Sequence, residues 1–181
     1  MMKGPREAFY RERIRESGPE YRDFDLWSAE ITFNLLYTYD VFHQLSARYM
    51  AEYGLSKSTL NVLMLLRNGS PEGMQLHELG ELLLVSKANI TGLVDHLEEK
   101  GLVKRVTGTR DRRARFARIT KKGEALLDEV VPVHYRNIKQ LLDDLTNEDK
   151  QALVTLLKKT RASLVANSTS LHRAQVHGAR E

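Results

Sequence analysis

Nine basic side chains fall between Lys104 and Lys122, and Asp111 is the only acid among them. This is a local charge of +8 in a chain whose net charge is +4, so the remainder sums to −4. A concentrated basic element on a mildly acidic body is the footprint of a polyanion-binding surface. Just ahead of it, Ile90, Leu93, Val94 and Leu97 fall at i, i+3, i+4 and i+7. That spacing makes one apolar stripe on a helix and leaves Lys87, Asn89, Thr91, Asp95 and His96 on its outer side. Such outer groups suit the edges of bases. Asn pairs with adenine, Lys with guanine or a phosphate, and Thr with either kind of group. Ser86 stands at the helix N-terminus, where free amides meet a phosphate oxygen.

Other chemistries are poorly supported. Without cysteine there are no disulfides, thiolate zinc sites, iron–sulfur clusters or thiol switches, which fits a reducing cytoplasm. No glycine-rich phosphate loop, Gly-x-Ser-x-Gly elbow or metal triad is present, so neither an enzyme nor a cofactor is expected. His77 with Glu81, and Asp40 with His43, have spacings that suit a shared metal, but two ligands do not make a site. No apolar run approaches the roughly 20 residues that span a bilayer. The first fifteen residues lack a signal-peptide core. The expectation is a cytoplasmic protein with no membrane partner. At 181 residues the chain can bury roughly 70% of its unfolded surface, enough to fold unaided.

The elements that position these groups read mainly as helices. Arg6 to Ser17 can form a short amphipathic helix stopped by Gly18 and Pro19. Its aromatic residues argue for docking, with disorder the competing reading. Residues 28–53 read as a long helix, apolar over more than one stripe and ended by Gly54. Helices follow over 56–68, 75–83 and 87–100, with a Ser-Pro-Glu-Gly turn at 70–73 and a Val85-Ser86 turn. Residues 102–107 and 115–119 read as a β-hairpin with a basic tip. Thr120 caps a helix to about Leu145, with a kink expected at Pro132. Residues 146–149 resemble a capping box with Asp in place of Glu.

The unit from Gln75 to Ile119 is therefore helix, tight turn, helix and two-stranded wing. A helix-turn-helix lays its second helix in the major groove. Arg110, Arg112, Arg113 and Arg115 lie at or beside the wing tip, and a narrow minor groove attracts inserted Arg. Arg113 or Arg110 is expected there. Asp111 is expected to orient a neighbouring Arg.

The run LHELGELLLVSKANITGLVDHLEEKGLVKRVTGTRDRRARFARITKKGEALL resembles the MarR family of bacterial regulators. It carries the leucine-rich helix, the Val-Ser turn, the Leu-Glu-x-Lys-Gly-Leu-Val-x-Arg run, the Asp111-x-Arg113 wing motif and Ile-Thr-x-x-Gly in order. The resemblance implies a mainly α fold with a small β-hairpin wing, and a winged helix-turn-helix domain at 56–120. It implies a helical dimerisation lobe from 26–55 and 121–166. Residues 1–25 are an N-terminal extension beyond the family's usual start, and from Ala166 onward polarity rises and the apolar pattern fades, so a frayed tail is expected at 167–181. It further implies a homodimer that represses by binding pseudo-palindromic double-stranded DNA, with release by a small phenolic or aromatic anion. Gly80 departs from an alanine common in the family, and Gly92 interrupts the recognition helix. A urate-responsive branch has an extra N-terminal helix with a particular Asp and Arg. Asn61 and Leu93 stand there in this chain, so that ligand is not carried over.

The DNA-binding set is thus expected to be Ser86, Lys87, Asn89, Thr91, His96, Arg110, Asp111, Arg113 and Arg115. Tyr37, His43, Asn61 and Arg67 are candidates for an effector crevice. For Trp27, Tyr37, Tyr39 and Phe42, core or dimer contact is the plainer reading. Gly92 has two readings, close helix packing or close approach to DNA. A winged helix that binds protein instead of DNA is the competing function, and the +8 wing argues against it.

Overall fold

The structure of the protein, a computed structural model, describes residues 5–107 and 115–177, with side chains over 6–107 and 116–168. It divides into two compact units, one ending at Val130 and the other beginning at Val131. Among the described residues no helix is long and apolar enough to cross a membrane.

In the first unit, α1 (Pro5–Glu16) precedes α2 (Leu26–Glu52). The N-terminal segment is docked on α2. Arg6 pairs with Asp40 at 2.9 Å and Arg15 with Glu30 at 3.3 Å. The Tyr10 ring lies 5.2 Å from Phe33, and the Arg6 guanidinium lies 5.2 Å over Tyr37. Asp25 caps α2 by accepting from the Ser28 amide at 2.7 Å, and its hydrogen bonds with Ser28 lower its pKa. A capping box starts α3 (Lys57–Asn68), where Ser56 and Thr59 each bond the other's backbone amide. From α3, Leu60, Val62, Leu63 and Leu66 enter the core.

The sheet has three antiparallel strands in the order β1-β3-β2, formed by Met74–Gln75, Arg115–Ile119 and Val103–Thr107. Sequence periodicity predicts only the two-stranded hairpin. The third strand is two residues long, too short to show alternation, and pairs Met74 with Ala117 and Gln75 with Phe116. The helix expected from Gln75 accordingly begins one residue later, as α4 (Leu76–Leu83). Against the sheet packs α5 (Lys87–Glu99), whose Ile90, Val94 and Leu97 are fully buried with Leu79, Val103 and Ala117. Leu93, expected in that stripe, is only half-buried.

The last helix of the unit, α6 (Lys121–Leu141), starts where Gly123 donates its amide to Thr120 Oγ1 at 3.2 Å. The Thr120 hydroxyl donates to the Gly101 carbonyl at 2.7 Å, tying this start to the end of α5. Leu127 and Val130 are buried, and Pro132 lies inside the helix just past the division between the units. The helix ends at Leu141 instead of about 145, since i→i−3 bonds at Leu142 and Leu145 turn the chain.

In the second unit, α7 (Asn147–His177) opens with the expected capping box. Thr146 donates its amide to Asp149 at 3.0 Å, and Asp149 donates its own to Thr146 Oγ1 at 3.1 Å. The helix continues to His177, past Ala166, where the fading apolar pattern predicts fraying. Helical backbone there needs no apolar stripe, because residues such as Leu171, Arg173, Ala174 and Gln175 favour helix by propensity.

Candidate nucleic-acid interface

The turn between α4 and α5 is fixed by backbone bonds. Val85 donates to the Gly80 carbonyl at 3.0 Å and Leu84 to Glu81 at 3.2 Å. This 6→1 and 5→2 pair is a Schellman ending, and it requires a left-handed residue. Leu84 takes that conformation, with φ +54°. The ends of α2 and α5 use the same bonds, but there Gly54 (φ +65°) and Gly101 (φ +69°) fill the position. A Cβ on Gly80 would stand 3.4 Å from the Val85 carbonyl and 3.5 Å from Ile90, so an alanine fits there.

The N-terminus of α5 is capped by Ser86, whose Oγ accepts from the Asn89 amide at 3.3 Å. Ser86, Lys87, Asn89 and His96 are exposed, and Thr91 is half-buried. The Thr91 hydroxyl donates to the Lys87 carbonyl at 2.8 Å, so toward a ligand it offers lone pairs and no proton. At 100° per residue Gly92 points away from the stripe of Ile90, Val94 and Leu97, with Ala88 one turn before it. A Cβ on Gly92 would meet nothing within 4 Å, which removes helix packing as its explanation. Two small residues at the centre of the outer face, with exposed Asn89 and His96 beside them and Lys87 in the first turn, let the helix backbone approach a groove closely.

One structural group was missed by sequence reasoning. Arg105 of β2 bonds Asp95 and Glu98, its guanidinium 2.9 Å from Glu98 Oε2. Its backbone amide donates to Glu98 Oε1 at 2.7 Å. The hydrogen bond that the guanidinium donates to Asp95, above all, raises its pKa. Arg105 is therefore an internal clamp between β2 and α5 and is withdrawn from the basic surface. Only the i, i+3 spacing of Asp95 and Glu98 hinted at it, since the contact crosses two elements.

Arg110, Asp111 and Arg113 lie outside the described residues. Arg115 opens β3 opposite Thr107, and its side chain is likewise outside them. Of the effector candidates, Tyr37 stacks on Phe33 at 5.5 Å beneath Arg6, and His43 stacks on Tyr39 at 5.7 Å. Asn61 is half-buried on α3, and Arg67 pairs with Asp128 at 3.0 Å. Tyr37 and His43 are six residues apart on one helix, as are Asn61 and Arg67 on another. Each pair therefore points about 120° apart and shares no single face.

Residues 53–114 match the MarR family. A relative from Bacillus subtilis (strain 168), the HTH-type transcriptional repressor YetL, is 31% identical over 144 residues, covering 80% of this chain and 86% of that protein. Two solved structures share the fold at lower identity. One is a MarR family transcriptional regulator from Streptomyces coelicolor in complex with DNA, with a TM-score of 0.73 and 20% identity, covering 80% of this chain and 91% of that one. The other is CouR from Rhodococcus jostii RHA1 bound to p-coumaroyl-CoA, with a TM-score of 0.64 and 24% identity, covering 76% and 92%. With its helix-turn-helix, three-stranded wing sheet and capped recognition helix, the chain belongs to the MarR family of DNA-binding transcription regulators, a family of regulators and not of enzymes.

Proposed function

We propose that the protein is a homodimeric repressor of pseudo-palindromic promoter sites in cytoplasmic DNA. The observation that carries this reading is the outer face of α5, where exposed Asn89 and His96 flank the open position of Gly92 and exposed Lys87 stands in the first turn. Two such helices, related by a twofold axis, would enter successive major grooves about one helical turn apart. Arg113 or Arg110 of each wing would enter the flanking minor groove, with Asp111 orienting a neighbour and Arg115 against the backbone.

Exposed apolar residues support the dimer. Trp27, Ile31, Leu36 and Tyr39 are exposed on α2, as are Leu153, Leu156, Leu164 and Val165 on α7. Apolar surface on this scale marks a protein interface more often than bare solvent. A chain truncated after Thr146 is expected to be monomeric; a dimer indistinguishable from the full chain's would sink the assignment of α7. The relative named a repressor supports repression, and the neighbour bound to p-coumaroyl-CoA supports control by an aromatic anion. An effector that alters the spacing of the two recognition helices would remove base contacts worth about 1–3 kcal/mol each.

The test is fluorescence anisotropy with the duplex upstream of the protein's own gene against a scrambled duplex, near 150 mM salt. Specific binding roughly 10³-fold tighter than scrambled is expected. Equal weak binding to that duplex, and to every other promoter duplex tried, would transfer the winged helix to a protein partner.

A further inference from the structure

The basic stretch around the wing does not form one surface. Val103, Arg105 and Ala117 turn toward the core and α5, so Lys104 and Arg118, which alternate with them, turn to the opposite face of the sheet. They lie directly across from each other in register. Arg67 at the end of α3 and Lys121 at the start of α6 join them around a cleft of about 510 Å³, whose lining also includes Ser70 and Glu124.

We propose that Arg67, Lys104, Arg118 and Lys121 bind a small, multiply charged anion, a phosphate or polycarboxylate, on the face of the sheet turned away from the recognition helix. Two features point to a missing negative partner. Like charges directly opposite on paired strands repel each other, and Lys104 and Arg118 have no acidic partner among the described residues. Lys121 occupies the first turn of α6, where the helix dipole disfavours a cation and favours an anion. Arg67 is already held in place through Asp128, so its guanidinium is oriented before any ligand arrives. The Ser70 Oγ accepts from the Glu72 amide at 3.2 Å, which leaves its proton free to donate. Glu124 is the one carboxylate in the lining, and with Arg67 paired to Asp128 the three cations Lys104, Arg118 and Lys121 still outweigh it. A concave cleft of this volume lies within the range of small-molecule sites, roughly 300–1,000 Å³, whereas a nucleic-acid backbone needs an open track. This site stands independently of the DNA-binding reading.

The experiment is calorimetric titration of the full-length protein with inorganic pyrophosphate and, separately, with citrate, near 0.15 M ionic strength. Saturable binding of one anion per chain is expected, with a rise in Tm. Arg118→Gln and Lys104→Gln should each weaken it roughly tenfold or more, because each removes a charge-assisted bond. Both variants should fold at least as stably as the wild type without anion, since each relieves a like-charge pair. Lys87→Gln, on the recognition helix, should leave anion binding unchanged. Binding of pyrophosphate without citrate would identify the phosphate source, and binding of both would support the shared anion chemistry. No saturable binding of either anion would overturn the proposal, as would equal loss in Lys87→Gln. Unchanged anion binding in Arg118→Gln alongside weakened duplex binding would also overturn it, by assigning the cleft to the DNA backbone.

Discussion

Arg105 and Glu98 are joined twice, by the Arg105 amide to Oε1 at 2.7 Å and by its guanidinium to Oε2 at 2.9 Å. The same guanidinium nitrogen bonds Asp95, so a single side chain fixes the angle between β2 and α5. Arg105→Ala should therefore lower stability by about 1–2 kcal/mol, with the partly exposed carboxylates screened by water. Arg105→Lys should recover only part of that, because its ammonium ends one atom short of the Nη1 that reaches both carboxylates. Urea denaturation measures both. A lysine variant as stable as the wild type would show that charge alone suffices.

Gly92 separates stability from binding. Gly92→Ala should raise stability by about 1 kcal/mol, since glycine is that much poorer in a helix and a methyl there meets nothing. If α5 approaches DNA closely at this residue, the same variant loses operator affinity. Denaturation and anisotropy on one preparation would show opposite signs; improved or unchanged affinity would remove close approach as the reason for the glycine.

Leu84 is 93% exposed in a left-handed conformation that glycine fills at the two matching helix ends. Leu84→Gly therefore gives up almost no burial and relieves about 1 kcal/mol of backbone strain. A higher urea midpoint with an unchanged m-value is the expected result. A lower midpoint would mean that the leucine makes a contact the single chain does not show.

Base and phosphate contacts should respond differently to salt. Asn89→Ala is expected to weaken operator binding by about 1–3 kcal/mol while leaving scrambled duplex nearly unaffected. Arg113→Ala should weaken binding to any sequence and reduce the slope of log K against log salt by about 1. Matched salt titrations distinguish the two, and identical profiles would show the roles to be misassigned.

Burial lowers the imidazole pKa of His134 from its ordinary 6.5. The unfolded chain then binds the proton more readily than the folded one. The contribution of His134 to stability is complete above 6.5 and is lost as the pH falls from there through the lowered folded value. Melting about one pH unit above and below 6.5 should show the drop, and His134→Gln should flatten it. A variant with the wild-type slope would assign the effect to other groups.

Much of this protein is local, and local features were legible in its sequence. Ile90, Val94 and Leu97 mark the buried face of α5 through spacing alone, and Ser86, Thr120 and Thr146 mark helix starts because a cap needs only residues within one turn. The helix-turn-helix and the hairpin follow from such signals in order. Tertiary structure decided whatever joins residues distant along the chain. It added β1, a strand too short to alternate, and it seated α1 on Phe33 and Tyr37 by ring and ion-pair contacts no periodicity encodes. It divided the basic stretch, turning Arg105 inward to two carboxylates while Lys104 and Arg118 face the other way to meet Arg67 and Lys121. Charge along a sequence is a sum; in a twisted sheet, alternation assigns each charge to a face, and only packing shows what waits on that face.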